Sequence, residues 1–253
     1  QPTLRHNLLD YVDVMRLDSK STVINFVQSV GSRFMFTTSE GSTKPLNSIG
    51  LNNTTLTAQK YAYRFIITDE AIMWHDIEEY ILDFITLSFY ETAHNQIQSY
   101  LASFAALAGT TGFATNVNPH VVASYISSNL SRTKCRGKKN IVIYSSDVYN
   151  RYLNAQSTTG EFVCGHECDD SYIVISGDTL PTDRYVGLNP CHLVVALYPQ
   201  ASAKMVEYPN PTYNNATAVE VSFYMIVYAI PSYVTGLSPV YAGSYTTLRN
   251  QLV

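Results

Sequence analysis

Cys164-Gly165-His166-Glu167-Cys168 sets two thiols and an imidazole within five residues, which is ligand chemistry for zinc. A structural zinc site shows paired spacings, and the remaining cysteines, Cys135 and Cys191, stand without a CxxC partner. No HExxH or similar run supplies a base for catalytic zinc. The segment therefore reads as a polar loop with incidental cysteines. A soluble zinc enzyme or zinc-stabilised domain would rest on Cys164, His166 and Cys168 alone. Cys191-His192 places a thiol beside a base, but the run 191–198, CHLVVALY, reads as a strand. Strand neighbours leave on opposite faces, so the pair cannot act as nucleophile and base, and Cys191 reads as a buried structural cysteine.

Glu91 and His94 have the three-residue spacing of di-iron bundles, without the second pair such a site needs. With His75, Glu78, Glu79 and Asp83 they read as the solvated face of a helix. Glu78 and Glu79 fall in its first turn, where carboxylates favour the positive helix end. Arg132, Lys134, Arg136, Lys138 and Lys139 could contact phosphate, yet no aromatics interleave them, and such clusters are usually solvated loops. There is no G-x-G-x-x-G, P-loop or G-x-S-x-G. The sequence calls for no enzyme and no cofactor.

The elements that carry these residues alternate in kind. Residues 1–20 have no sustained period; Leu4, Leu8, Leu9 and Val12 suffice for a short amphipathic turn, and the segment reads as an arm. STVINFVQSV at 21–30 is β-branched and alternating, hence a strand. From Gly31 to Leu56 the composition turns to Ser, Thr, Asn and Gly, too long for an ordinary internal loop, and AQKYAYRFII at 58–67 returns as a strand. The excursion thus reads as a long two-stranded loop.

Asp76 to Ala108 contains neither Pro nor Gly. Ile77, Tyr80, Phe84, Leu87, Tyr90, Ala93, Ile97, Leu101 and Phe104 recur there at three- and four-residue steps, which predicts one helix of roughly 45–50 Å. Residues 113–212 then alternate: a helix capped by Asn118-Pro119, a buried strand IVIYS at 141–145, a second helix opened by Ser146 and Asp147, and strands at 172–176 and 191–198. Residues 218–230 form a long strand and 231–253 a mixed tail.

The composition points the same way. Of 253 residues 46% are apolar, enough for a substantial core, while only 14% are charged and 20 are Tyr. A surface so poor in charge and rich in Tyr tolerates being covered by other protein, since Tyr is enriched and Lys and Glu depleted at interfaces. A net charge of -4 argues against a dedicated reader of DNA or RNA. No run of eighteen apolar residues occurs, and the start QPTLRHNLLDY is no signal peptide, so a soluble chain is expected. Four cysteines are too few for a disulfide scaffold at this length, and a reduced intracellular origin fits them. Sequons at Asn52, Asn53, Asn129 and Asn215 then carry no weight.

Several motifs in order resemble the major capsid proteins of tailed bacteriophages, the shell fold of the Hong Kong 97 phage type. LRHNLLDYVDVMRLDSKSTVINFVQ is similar to that family's arm and first strand. Glu40-Gly41-Ser42-Thr43-Lys44-Pro45 resembles the E-G-x-x-K-P motif of its extended E-loop. Residues 57–62 and 65–72 with the long helix match the loop's return and the spine helix, and 145–162 is similar to a strand, capped helix and turn of the axial domain. The last long strand and SPVYA at 238–242 resemble the family's ending.

The resemblance implies an α+β fold: residues 1–20 as N-arm, 31–56 as E-loop, 21–30, 57–112 and 213–232 as a peripheral domain with its spine helix, and 113–212 with 233–253 as an α/β axial domain. It implies a shell subunit that assembles with itself into hexamers and pentamers around double-stranded DNA, held without sequence specificity. Portal, scaffold or maturation protease would join during assembly in the host cytoplasm, with the virion capsid as destination and no membrane involved. Phe34, Phe36, Glu40, Lys44, Pro45, Leu46 and Ile49 become inter-subunit contacts. The start at Gln1 fits family members that lose a scaffolding segment to proteolysis. Some members join an E-loop Lys to a neighbour's Asn with help from a Glu. Lys44 matches that Lys, but in VEVSFYMIVYAIP no Glu stands where the family's catalytic Glu would fall within the apolar stretch, so no cross-link is expected. An encapsulin-like compartment, holding cargo enzymes in place of a genome, shares the fold and is the other shell reading.

Overall fold

The computed structural model describes residues 7–30, 40, 49–68, 77–107, 113–132, 138–155, 172–207, 216–231 and 238–246. The chain divides into two compact units. The first comprises 1–22, 56–98 and 194–228, and the second 23–55, 99–193 and 229–253.

In the first unit a four-stranded sheet runs β1 (Val14–Arg16), β9 (Leu193–Glu207), β10 (Ala216–Ala229), β4 (Gln59–Thr68). β4 and β10 are antiparallel with Phe65 opposite Val219 and Tyr63 opposite Val221. Alternation sends Tyr61, Tyr63, Phe65 and Ile67 to one face, where Ile67, Val219 and Val221 form a small core with Ile81 and Ile85 of the helix α1 (Ile77–Leu107). On the other face Arg64 reaches Glu220 at 3.0 Å, a half-exposed pair of small energetic weight.

The long helix is present at 31 residues, about 46 Å at 1.5 Å per residue. Its buried face is not the stripe read from the sequence. Ala93, Ile97 and Leu101 of that stripe are buried, whereas Tyr80, Phe84 and Tyr90 are exposed, and the first half packs through Ile81, Ile85 and Phe89. Both rows have helical spacing, so periodicity could not choose between them.

The arm also departs from expectation. Read as an arm with at most a short amphipathic turn, it buries Leu8, Val12 and Leu17. β1 pairs in parallel with β9 through Val14–Val195 to Arg16–Leu197, and Leu17 N–H donates to the Leu197 carbonyl at 2.9 Å. Composition misses this because the bonds are backbone bonds. Likewise the strand at 193–207, which the resemblance put with the axial segment, hydrogen-bonds β1 and β10 instead.

In the second unit a five-stranded sheet runs β5 (Phe113–Ala114), β11 (Val240–Thr246), β8 (Arg184–Leu188), β6 (Asn140–Ser145), β7 (Tyr172–Gly177). β6 is buried along its whole length, as its continuous apolar run requires. Helix α2 (Pro119–Ser131) starts with Asn118 accepting from His120 N–H at 2.9 Å and Pro119 in the first turn, and it buries Val122, Ala123, Ile126 and Leu130. β8 passes so close beneath it that a Cβ on Gly187 would lie 2.1 Å from Ile126 Cγ2. Helix α3 (Ser146–Leu153) is preceded by Ser145, whose hydroxyl accepts from Arg184 N–H at 3.1 Å in place of capping the helix. Asp147 accepts from the backbone of Asp183 at 3.0 Å and holds it at φ 59°, a left-handed conformation that Asp tolerates.

Residues 21–30 do not join the first unit's sheet. They form β2 (Ser21–Val30), paired only with β3 (Ile49–Thr57) in a separate two-stranded ribbon. The pairing thus joins the run ahead of the segment of unusual composition to that segment's end, while 31–39 and 41–48 lie outside the described residues.

Candidate inter-subunit surfaces

The axial-type core of the second unit is aromatic and closed. Tyr144 donates to the Pro119 carbonyl at 2.6 Å, His120 stacks on Tyr152 with centroids 4.0 Å apart, and Phe113 meets both Tyr185 and Tyr245. Burial holds the phenols of Tyr144 and Tyr185 well above their ordinary value and Tyr245 at about 12, so they stay protonated and serve packing. Arg151 lies over the Tyr245 ring at 4.8 Å, donates to the Thr115 carbonyl and approaches Asp183 at 3.5 Å. The Tyr245 hydroxyl is buried with no hydrogen-bond partner among the described residues.

The candidates for chemistry do not converge. Cys164, His166 and Cys168 lie outside the described residues, and among the described residues no three His, Cys, Asp or Glu side chains gather as for a metal. Glu91 is exposed, while His94 accepts a hydrogen bond from the backbone of Leu8 and is not a solvated side chain. Cys191 corrects two expectations. It sits in a single 3-10 turn, Pro190–His192, and not in a strand, and it is exposed and disulfide-bonded where a buried, reduced thiol was expected. His192 is buried where Cys191 is exposed. Of the basic cluster, Arg132 and Lys139 are exposed and Lys138 partly so, and Lys134 and Arg136 lie outside the described residues. Among the described residues no helix is long and apolar enough to cross a membrane.

What the surface does carry is uncovered apolar area. Along α1 Tyr80 is 76% exposed, Leu82 63% and Phe84 51%. A helix with apolar residues on every side belongs to a site covered on every side, and this chain covers one of them. On the ribbon Leu51 is 73% exposed and Ile49 63%, with Val23 beside them in composition and exposure. A two-stranded ribbon with one layer is marginal in water and needs support from elsewhere. On α2 Val121 and Tyr125, one turn apart, also face out.

In the first unit α1 and the β4–β10 sheet leave a groove of about 260 Å³ lined by Tyr63, Ile85, Phe89, Tyr90, Val221 and Phe223. The Tyr63 hydroxyl is buried there with no hydrogen-bond partner among the described residues. Of the E-loop residues named from the sequence, Glu40 and Ile49 are exposed; Phe34, Phe36, Lys44, Pro45 and Leu46 lie outside the described residues. Tyr80 was read as part of the core stripe, and Leu82, Val121 and Tyr125 were not singled out, because an apolar residue at helical spacing looks the same whether its own chain or another covers it.

No family model matches the sequence, and no curated protein matches it. Solved structures do. The chain is similar over 94% of its length to 90% of a chain from Microbacterium phage Oxtober96, at 10% identity and a TM-score of 0.69. It is similar over 98% to 92% of a chain in the capsid of an empty GTA particle, at 12% identity and 0.67. Over 93% it is similar to 86% of a chain in the capsid of Cyanophage P-SCSP1u, at 11% identity and 0.56. The chain therefore has the α+β Hong Kong 97-type fold of phage capsids, with long helix, two-stranded ribbon and α/β unit in the order its motifs implied.

Proposed function

We propose that the chain is a major capsid subunit that assembles with itself into the hexamers and pentamers of an icosahedral head around double-stranded DNA. The observation that carries this is the likeness along nearly the whole chain to solved phage capsid chains. The apolar residues left exposed on α1, on the ribbon and on α2 support it, since three separate patches suit a subunit with several neighbours. Its work is structural, with no catalytic step. The residues of the E-loop, Phe34, Phe36, Glu40, Lys44, Pro45, Leu46 and Ile49, make contacts between subunits, and the packaged DNA is held without sequence reading. Portal and maturation protease are transient partners, and the protein resides in the virion.

Negative-stain microscopy of the purified chain, with a nuclease-protection assay on particles from the producing cells, tests this. Closed shells with protected DNA are expected. A chain that stays monomeric at high concentration and under crowding would overturn the reading, and closed shells enclosing protein with no nucleic acid would favour the encapsulin-like compartment. Deleting residues 38–52 should leave the helical circular dichroism intact and abolish stable shells. Elemental analysis addresses Cys164, His166 and Cys168: stoichiometric zinc would establish a metal site there.

A further inference from the structure

The short turn Leu8–Asp10 is seated on α1 by a set of bonds that only an uncharged imidazole can complete. Leu8 N–H donates to His94 Nδ1 at 3.1 Å. The Gln98 amide stands 2.6 Å from His94 Nε2. With Nδ1 accepting, Nε2 carries the ring proton and donates, so the amide oxygen takes the position facing it. Asn7 donates to the Tyr90 carbonyl at 3.4 Å while its own oxygen accepts from Leu9 N–H at 3.0 Å. Leu8 and Gln98 are fully buried and Asn7 nearly so. Beyond the turn, what holds the arm is Val12, Leu17 and the three-residue strand β1.

From this geometry we infer that His94 is a proton-controlled latch that keeps the arm, residues 7–17, on its own subunit. The inference concerns contacts within one chain and goes beyond the shell reading without depending on it. When His94 binds a second proton, Nδ1–H confronts Leu8 N–H, two donors across 3.1 Å, while the Gln98 contact is unchanged. The buried amide of Leu8 then has lost its acceptor, and the turn lifts. An imidazole changes charge between about pH 5 and 8, so release falls in mildly acidic solution. The charged and titratable groups on the elements concerned are Asp10, Tyr11 and Asp13 in and after the turn, and Tyr90 and Glu91 on α1. Lifting the turn uncovers Leu8.

The test is hydrogen exchange on the full chain at pH 7.5 and 5.0, with rates corrected for intrinsic pH dependence. Residues 7–17 are followed against 140–153 as internal reference. Protection of 7–17 should fall roughly tenfold to a hundredfold at pH 5.0 beyond whatever fall 140–153 shows, the scale of an orphaned buried donor. His94→Asn, whose amide can accept from Leu8 without titrating, should remove the pH response, and His94→Gln provides a second variant should that one fold poorly. Equal protection at both pH values in the wild type would overturn the latch. So would a loss at 140–153 equal to that at 7–17, or a response that survives in both variants.

Discussion

Replacing Tyr80 and Leu82 by Gln separates folding from assembly. Both side chains are largely exposed in the isolated chain, at 76% and 63%, so the folded subunit has little to lose. Surface changes of this kind cost up to about 0.5 kcal/mol each, and at about 2–4 °C per kcal/mol the melting temperature should fall by under roughly 4 °C. Assembly is different. Full burial of a Leu or a comparable apolar side chain is worth about 1.5–3 kcal/mol. With about two thirds or more of each still available, covering them contributes about 1–2 kcal/mol apiece, or about 2–4 kcal/mol per subunit. At 1.4 kcal/mol per decade, the concentration needed for shells should rise about 30- to 1000-fold. Light scattering over a concentration series, with sedimentation velocity at each point, measures that threshold, and a thermal melt by circular dichroism measures the fold. Shells forming at the wild-type threshold would refute the argument that α1 is covered by another copy. A drop in melting temperature beyond about 10 °C would show that these side chains serve the fold itself.

Gly187→Ala should destabilise the second unit by about 1–3 kcal/mol, because its Cβ would stand 2.1 Å from Ile126 Cγ2; in an Ile126→Ala background the same change should cost almost nothing, a non-additivity that urea unfolding of the four variants reads directly. Acid should weaken the same unit. Burial outweighs a backbone hydrogen bond at both His120 and His192 and holds each below the ordinary imidazole value of 6.5. The unfolded chain takes up these protons first, so stability is full above about pH 6.5 and falls as pH drops through each folded value. The urea midpoint, measured in the His94→Asn background to exclude the arm, should be lower at pH 5.0 than at 7.5, and His192→Gln should flatten the slope. Asp147 acts in a separate window. Burial pushes its carboxyl up, but hydrogen bonds from Ser145 and the Asp183 backbone outweigh it and hold it below 3.8, so its contribution is lost only as pH falls through that lower value. Finally, particles boiled in denaturant should run as monomers after reduction, since the Glu of β10, Glu220, pairs with Arg64 and no Glu stands where shells of this type that cross-link carry theirs to deprotonate the Lys; a ladder of covalent multimers would refute this.

The sequence by itself determined the elements whose signal is local. An unbroken run without Gly or Pro made α1, Asn118-Pro119 started α2, and the β-branched run at 141–145 became the buried strand β6. The order of degenerate motifs carried the fold, because each motif marks a turn or strand whose position in the chain is itself informative. Tertiary structure alone decided the rest. Ile81, Ile85 and Phe89 pack on the sheet while the equally spaced Tyr80 is left exposed and Phe84, half exposed, meets Tyr63 and Phe65 edge-on, since burial depends on where β4 and β10 lie and not on helical period. Leu8 and Val12, too sparse to suggest packing, are buried because backbone groups and His94, more than eighty residues away, hold the turn. Cys191 joined a turn and a disulfide that no spacing announced. The candidate contact surfaces divide in the same way: the apolar residues of α1 and the ribbon are visible in the sequence, but their exposure is a non-local property, fixed only once every other element has taken its place.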